Sequence, residues 1–284
     1  MKMSLVMLSN GYLTVQISTL GAELQSIIDK SGLERLWQGD PDFWSGRAPI
    51  LFPFAGALKD GYFIYGGRQY FLPQHGFARR SEFRLTEQTA FSASFVLDAP
   101  NENYPFDYAL KVTYALKNDA IRITHEVSNR GAGDMYYALG CHEAYALNSP
   151  LHTYRLVFDQ KETLIHQCLT GAQLNGDTEP ITENSTDLPL RSGLFHNDSL
   201  VFQNLNSRGV FLECLNRPER VRVDFDGFDT LLIWKKPHAP FLCIEPWLNP
   251  PENVNSDHRL VHKPGIIRLT PGKSNSHEHC ITLL

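Results

Sequence analysis

Apolar and polar residues alternate with a period of two along much of the chain. Residues 13–18 follow this pattern, and so do residues 110–116 and 121–125. Such alternation predicts β-strands that bury one face and expose the other. Asn118 and Asp119 lie between the second and third of these segments, where they are typical of a turn. We therefore predict an antiparallel hairpin across this turn.

Further short apolar segments recur every 10 to 15 residues, with Gly, Pro, Asn or Asp between them. The six predicted as strands are Phe91–Leu97, Tyr154–Phe158, Val210–Leu215, Val221–Phe225, Leu231–Trp234 and Phe241–Ile244. Evidence for helices is poor, because no window of 12 or more residues keeps a 3.6-residue period and 20 Gly and 17 Pro interrupt the chain. Short turns are expected at 41–44 and 196–200. The pattern predicts an all-β protein built as a sandwich or barrel.

The chain is expected to form one domain over residues 1–284. With 284 residues, 42% of them hydrophobic, it can bury a large core and is not disordered. The polar stretch 170–187 is predicted to be a long irregular connection inside that domain. The formal net charge of −5 argues against nucleic acid or an anionic membrane as the main partner, and favours a small, weakly charged ligand.

The sequence also indicates a compartment. No run approaches the roughly 18 apolar residues of a membrane span. The N-terminal residues turn polar too early for a signal-peptide core. The five cysteines are an odd number without a CxxC pair, so we expect reduced thiols in a cytoplasmic protein. The sequence does not indicate an oligomeric state.

Three polar residues stand in apolar or Gly-rich surroundings and are candidates for chemistry. Glu245 ends the apolar run 240–244 and precedes Pro246. Burial at a strand end would raise the pKa of this Glu toward that of a general base; alternatively, Glu245 turns into solvent. His142 is a candidate general acid or a hydrogen-bonded histidine of a half-buried strand. His75, before a glycine, is a candidate ligand donor or a turn residue without a role.

Metal and nucleotide sites have weaker support. His258 and His262 have a spacing that suits metal ligands only on a helix, which Pro264 disfavours. His277 and His279 fall on one face of a strand, but no third ligand follows at a recognisable spacing, so we expect no metal. GxGxxG, GxxxxGK[ST] and GxSxG motifs are absent, and no cofactor is expected.

Taken together, six segments resemble the aldose 1-epimerase (galactose mutarotase) superfamily, in the order of that family. These segments are residues 19–27, Gly46–Pro53, His75-Gly76-Phe77, Gly140-Cys141-His142, Phe195-His196-Asn197-Asp198 and Glu245-Pro246-Trp247. The resemblance spans most of the chain. It implies an antiparallel β-supersandwich with a sugar on its concave face, and interconversion of the α and β anomers of an aldose without a cofactor.

The resemblance also implies roles for individual residues. Glu245 matches the catalytic base that takes the proton of the C1 hydroxyl, and His142 matches the acid that protonates the ring oxygen. His75 matches a second histidine that hydrogen-bonds the sugar, and Asp198 an aspartate that binds sugar hydroxyls. Trp247 is expected to bind the substrate as well.

Two motifs depart from the best-known galactose mutarotases. Those proteins carry Gly-Arg-x-x-Asn-Arg where this chain has residues 46–51, and His-Gly-Gly where it has residues 75–77. Both motifs look closer to an aldose-epimerase-like branch and to the hexose-6-phosphate 1-epimerases, in which arginines near these motifs bind phosphate. Arg47 and Arg79 are therefore candidate phosphate ligands; alternatively, one lies on the surface and the other is structural.

Three functions stay open at this point. The first is a mutarotase of free aldohexoses, and the second is a hexose-6-phosphate 1-epimerase. The third is a non-catalytic carbohydrate-binding or sensor protein of the same fold. Such a protein would still stack sugars on Trp37, Trp44, Tyr62 or Trp247, but it would have no use for the pair of Glu245 and His142.

Overall fold

The computed structural model describes residues 4–284, and its regular structure is almost entirely strand. The strands are β1 (Leu5–Ser9), β2 (Leu13–Ser18), β3 (Leu24–Asp29), β4 (Ile50–Leu51), β5 (Tyr62–Tyr65), β6 (Arg68–Phe71), β7 (Arg84–Gln88), β8 (Ser92–Leu97), β9 (Tyr108–Lys117), β10 (Ala120–Asn129), β11 (Met135–Tyr137), β12 (Gly140–Cys141), β13 (Glu143–Ala146), β14 (Tyr154–Thr170), β15 (Gln173–Pro189), β16 (Leu200–Gln203), β17 (Gly209–Cys214), β18 (Arg220–Asp224), β19 (Thr230–Trp234), β20 (Phe241–Trp247), β21 (Ile267–Leu269) and β22 (Ser274–Leu283). Helical structure consists of short 3₁₀ turns at Lys59–Gly61, Ala78–Arg80, Leu151–Thr153, Ser192–Phe195 and Leu260–His262. Among the described residues, no helix is long and apolar enough to cross a membrane.

Two large antiparallel sheets make up most of the molecule. The larger has nine strands in the order β15-β14-β17-β18-β22-β10-β9-β8-β7. The smaller has the order β16-β19-β20-β12-β4, and β13 also pairs with β20. A three-stranded sheet, β1-β2-β3, and the strand pairs β5-β6 and β11-β21 complete the fold. The predicted all-β class with antiparallel sheets is confirmed.

The predicted hairpin is present as β9 and β10, where Leu116 pairs with Ile121 and the register continues for ten residues. Burial alternates along both strands, as the sequence pattern requires. Asn118 adopts φ 53° in the connecting turn, a left-handed conformation that Asn tolerates. The main hydrophobic core extends from Val6 near one end of the chain to Leu283 near the other.

The prediction of an irregular connection over 170–187 is wrong. Strand β14 continues to Thr170, and β15 returns along it from Gln173 to Pro189. Because β15 is the edge strand and only one of its residues is buried, no apolar alternation marks it in the sequence. Pro180 is accommodated at such an edge, and four register shifts interrupt the pairing of the two strands.

Strand β20 lies inside the six-stranded sheet, between β19 on one side and β12 and β13 on the other. All seven of its residues are buried. Burial of both faces explains the continuous apolar run before Glu245, in place of the alternation seen in β9 and β10. The carboxylate of Glu245 therefore lies in the interior, on a strand that is paired along both edges.

Candidate active site

A cavity of about 260 Å³ opens beside β20, on one face of the six-stranded sheet. Its volume suits one small polar molecule. The polar and aromatic residues that line it include Trp44, His75, Arg79, His142, Asp198, Trp234, Lys236, Glu245 and Trp247. Six of the seven site residues predicted from the sequence are in this set, although they come from segments spread over more than 160 positions of the chain.

Glu245 is buried on the wall of this cavity, with 2% of its surface exposed. The strand that was predicted to stop at Ile244 continues to Trp247, so Glu245 does not turn into solvent. Its Oε2 accepts a hydrogen bond of 3.2 Å from Nε1 of Trp247. Burial raises the pKa of Glu245 well above its ordinary value; the Trp247 bond opposes this rise, and the charges of Asp198 and Glu143 add to it.

His142 lies between β12 and β13 and faces Glu245. Its Nδ1 is 3.4 Å from Oε1 of Glu245, and the indole of Trp44 stacks on the imidazole at 5.0 Å between ring centres. Burial lowers the pKa of His142 to about 3, and the charge of Arg79 contributes to this shift. The two groups therefore form a close, water-poor pair in which burial disfavours the charge on each.

His75 is a fixed hydrogen-bond donor to the cavity. The backbone N–H of Gly56 donates to its Nδ1 at 3.1 Å, which leaves the proton of the neutral ring on Nε2. Burial, followed by the nearby His142 and Arg79, lowers the pKa of His75 to about 2, so the ring is neutral. His75 itself has φ 66°, and its own N–H donates to the Gly56 carbonyl at 2.7 Å.

Asp198 lines the cavity from the turn before β16, with φ 79°. The indole Nε1 of Trp234 donates to its Oδ1 at 2.6 Å. Burial raises the pKa of Asp198, and this hydrogen bond partly opposes the rise. Trp234 was not predicted as a site residue. Its place at the end of an apolar strand, before Lys235 and Lys236, was the available signal.

The two candidate phosphate ligands lie in different places. Arg79 lines the cavity; its Nη2 donates to the Gln74 carbonyl at 3.2 Å, while its Nε is buried without a hydrogen-bond partner among the described residues. Arg47 lies outside the cavity lining, because its Nη1 is held by the Gln25 carbonyl at 2.6 Å. Lys236, which the sequence analysis did not single out, is a second cation on the cavity wall.

Of the four aromatic residues considered for stacking on a sugar, two line the cavity and two do not. Trp44 and Trp247 line the cavity. Trp37 is buried in a neighbouring cluster and donates from Nε1 to the Trp44 carbonyl at 2.8 Å. Tyr62 is elsewhere and stacks on His258 with 4.2 Å between ring centres. The tryptophans that line the cavity are therefore Trp44, Trp234 and Trp247.

Two groups of side chains bring potential metal-ligating atoms within 4.8 Å of one another in the described part of the chain. One consists of Cys243 with His142 and Glu245. The second, His125, Cys141 and His279, is buried outside the cavity lining. In the first group, two of the three atoms belong to the close pair of His142 and Glu245.

Comparison with known proteins identifies the family. The family model for aldose 1-epimerase matches residues 4–281. Protein LacX of Lactococcus lactis subsp. lactis, in a chromosomal and a plasmid form, is 36% identical over 297 residues, which covers 98% of both chains. A galactose mutarotase related enzyme from Lactobacillus acidophilus is 28% identical with a TM-score of 0.94, covering 99% of this chain and 97% of its own. A galactose mutarotase-like protein from Lactobacillus casei ATCC 334 is 27% identical with a TM-score of 0.94, covering 99% and 100%. These structures bear out the galactose mutarotase-like fold, and the family match over nearly the whole length shows that the chain belongs to the aldose 1-epimerase family.

Proposed function

We propose that this protein interconverts the α and β anomers of an aldohexose by general acid–base catalysis. The observation that carries the proposal is the pair of Glu245 and His142, 3.4 Å apart on the wall of a cavity of sugar size. A binding protein gains nothing from burying a carboxylate beside an imidazole, because desolvation of both groups costs stability.

Ring opening needs one proton removed and another delivered. The Glu245 carboxylate takes the proton of the C1 hydroxyl, the bond between C1 and the ring oxygen breaks, and His142 gives its proton to that oxygen. The product is the open-chain aldehyde. After rotation about the C1–C2 bond, the same two groups run the steps in reverse and close the ring on the other face. Each positioned proton transfer contributes about 10²–10⁴-fold to the rate.

The pair holds one exchangeable proton in either of two arrangements. With the proton on Glu245, both groups are neutral, which burial favours. With the proton on His142, the pair is an ionised base beside a charged acid, which is the form that opens the ring. Because the two groups are coupled at 3.4 Å, they titrate together rather than as separate residues.

The other cavity residues position the sugar. His75 presents Nε2–H, since its Nδ1 is occupied by the Gly56 N–H. Asp198 presents an acceptor whose orientation the 2.6 Å bond from Trp234 fixes. Trp44 and Trp247 offer apolar faces on which the C–H groups of a pyranose pack, as sugar rings need.

Polarimetry tests this function. Starting from pure α-glucose or α-galactose, the wild type is expected to shorten the approach to anomeric equilibrium. Glu245→Gln should slow turnover by about 10²–10⁴-fold while sugar binding persists, because only the base is removed. Glu126→Gln, an exposed carboxylate on β10, is the matched control and should keep the wild-type rate. Equal rates in Glu245→Gln and wild type would show that Glu245 is not the base.

A second candidate substrate is a hexose 6-phosphate, which Arg79 and Lys236 on the cavity wall favour. The buried Nε of Arg79 lacks a partner, and a guanidinium matches phosphate geometry. If the substrate is phosphorylated, Arg79→Ala should lower kcat/KM for glucose 6-phosphate much more than kcat/KM for free glucose. Arg80→Ala, its exposed neighbour, is the control. An equal effect of Arg79→Ala on both sugars would remove the phosphate site.

We propose the cytoplasm as the working compartment. The support is that all five cysteines are free thiols, two of them half-buried. Freshly purified protein is denatured without a reductant and its thiols are titrated. The titration should give five reduced cysteines per chain. A disulfide between any two of them would contradict this placement.

A further inference from the structure

Four titratable side chains meet in the interior on strands of both large sheets, outside the sugar cavity. His125 is on β10 and His279 on β22 in the nine-stranded sheet, and Cys141 is on β12 in the smaller sheet. Glu143 begins β13. All four are buried, none with more than 4% of its surface exposed. The proposed reaction uses none of them.

The Cys141 sulfur is the centre of this group. It lies 3.4 Å from Nδ1 of His279 and 3.6 Å from Nε2 of His125. The three atoms lie within 4.8 Å of one another. Tetrahedral zinc with a thiolate at about 2.3 Å and an imidazole at about 2.0–2.1 Å places sulfur and nitrogen about 3.6 Å apart. Both observed separations agree with that value.

Glu143 gives one of the two histidines, His279, the second hydrogen bond that metal-bound histidines usually make. Nε2 of His279 donates to its Oε1 at 2.9 Å, so Nδ1 of a neutral His279 carries the lone pair that faces Cys141. Metal-ligating histidines usually donate their other ring N–H to a carboxylate or carbonyl, which fixes the tautomer and orients the ring. Glu143 lies on the far side of that ring from the sulfur, and is a positioning residue rather than a ligand.

The charges of this group also favour a cation. Among the described residues, the only ion-pair partner of Glu143 is His279, and its Oε2 has no hydrogen-bond partner. A buried carboxylate is costly when it is not compensated. A divalent cation on a Cys141 thiolate, with the Glu143 carboxylate behind His279, would bring the net charge of the group to zero.

We propose that His125, Cys141 and His279 form a binding site for one Zn²⁺ ion. The ion joins strands of the two sheets immediately behind the segment that carries His142. The site was not predictable from sequence spacing. The His277-x-His279 motif contains only one of the three ligands, and the other two lie on the distant strands β10 and β12. The proposal does not depend on the sugar chemistry, so either can fail alone.

Metal content after refolding tests the site. The full chain is unfolded in guanidinium with a chelator, refolded with ZnCl₂, freed of loose metal by gel filtration and analysed by mass spectrometry. The wild type should retain about one zinc per chain, and Cys141→Ser should retain almost none. Cys214→Ser, which removes another buried thiol, should retain as much as the wild type. A wild type that refolds without zinc, or a Cys141→Ser variant that keeps it, overturns the proposal.

Two further measurements keep the test decisive if Cys141→Ser does not fold. Wild type refolded with Co²⁺ should show a thiolate-to-metal charge-transfer band in the near ultraviolet, and its absence would exclude Cys141 as a ligand. Glu143→Gln should weaken zinc affinity by about 10- to 100-fold in competition with a chelator. An unchanged affinity would contradict the arrangement around His279.

Discussion

The substitution of Glu245 by Gln should make the protein more stable at neutral pH while removing its activity. The side chain is buried with 2% exposure, and burial raises its pKa in the folded protein. Gln has nearly the same shape and can still accept the hydrogen bond that Trp247 donates to this position. The variant therefore removes the cost of an ionisable group in the interior and little else.

The sign and the size of the effect follow from proton linkage. In the unfolded chain the pKa of Glu is about 4.3, below the raised pKa of Glu245 in the folded protein. Between the two values the folded state binds more protons, so the free energy of unfolding of the wild type falls by about 1.4 kcal/mol for each pH unit. The loss begins near pH 4.3 and stops above the folded-state pKa. Glu245→Gln has no such loss, and its advantage grows over the same window.

Urea unfolding of both proteins between pH 4 and pH 8 measures this difference. The two curves should meet at the acidic end and separate as the pH rises. The final separation, divided by about 1.4 kcal/mol, gives the displacement in pH units of the apparent pKa of the Glu245 and His142 pair. If Glu245→Gln is no more stable than wild type at pH 7, or if the difference does not vary with pH, burial does not raise the pKa of Glu245.

Two other substitutions test the support of the cavity. Trp234→Phe removes the 2.6 Å hydrogen bond to Asp198. Because a hydrogen bond to a charged group contributes about 1.5–3 kcal/mol, its loss should raise KM by about ten- to a hundredfold. A KM within twofold of the wild-type value would show that Asp198 is oriented by other contacts. Gly76→Ala should lower the melting temperature sharply, because its φ is +68° and a Cβ would lie 2.3 Å from the Phe52 carbonyl oxygen. Gly67→Ala, at φ +76° in open space, should cost only about 1–2 kcal/mol, and equal losses in the two variants would contradict the steric argument.

Strands that bury one face were predicted from the sequence, whereas a strand with few buried side chains was not. Alternation identified β9 and β10 because each buries every second residue. Strand β15 was not predicted because backbone pairing with β14 holds it in place while only one of its residues is buried. The end of β20 was misplaced because Glu245 is a charged residue that tertiary contacts bury against its usual preference.

Local sequence made Glu245, His142 and His75 candidates for chemistry, but only the resemblance to a family placed them in one site. No local pattern links His75, His142 and Glu245, since pairing of distant strands brings them together. Arg47 shows the converse, because its motif suggested phosphate binding and its contact with the Gln25 carbonyl keeps it outside the cavity lining. Lys236 and Trp234 were missed because neither belongs to a motif that the sequence displays.

Anomer exchange at equilibrium, followed by magnetisation transfer between the two C1 proton signals, measures the proposed reaction itself. It detects ring opening and closure without net reaction and needs no coupling enzyme. The proposed acid–base function predicts that wild-type protein accelerates exchange of at least one aldohexose or hexose 6-phosphate, and that Glu245→Gln loses about 10²–10⁴-fold of that acceleration. Binding of these sugars by the wild type without any faster exchange would contradict it.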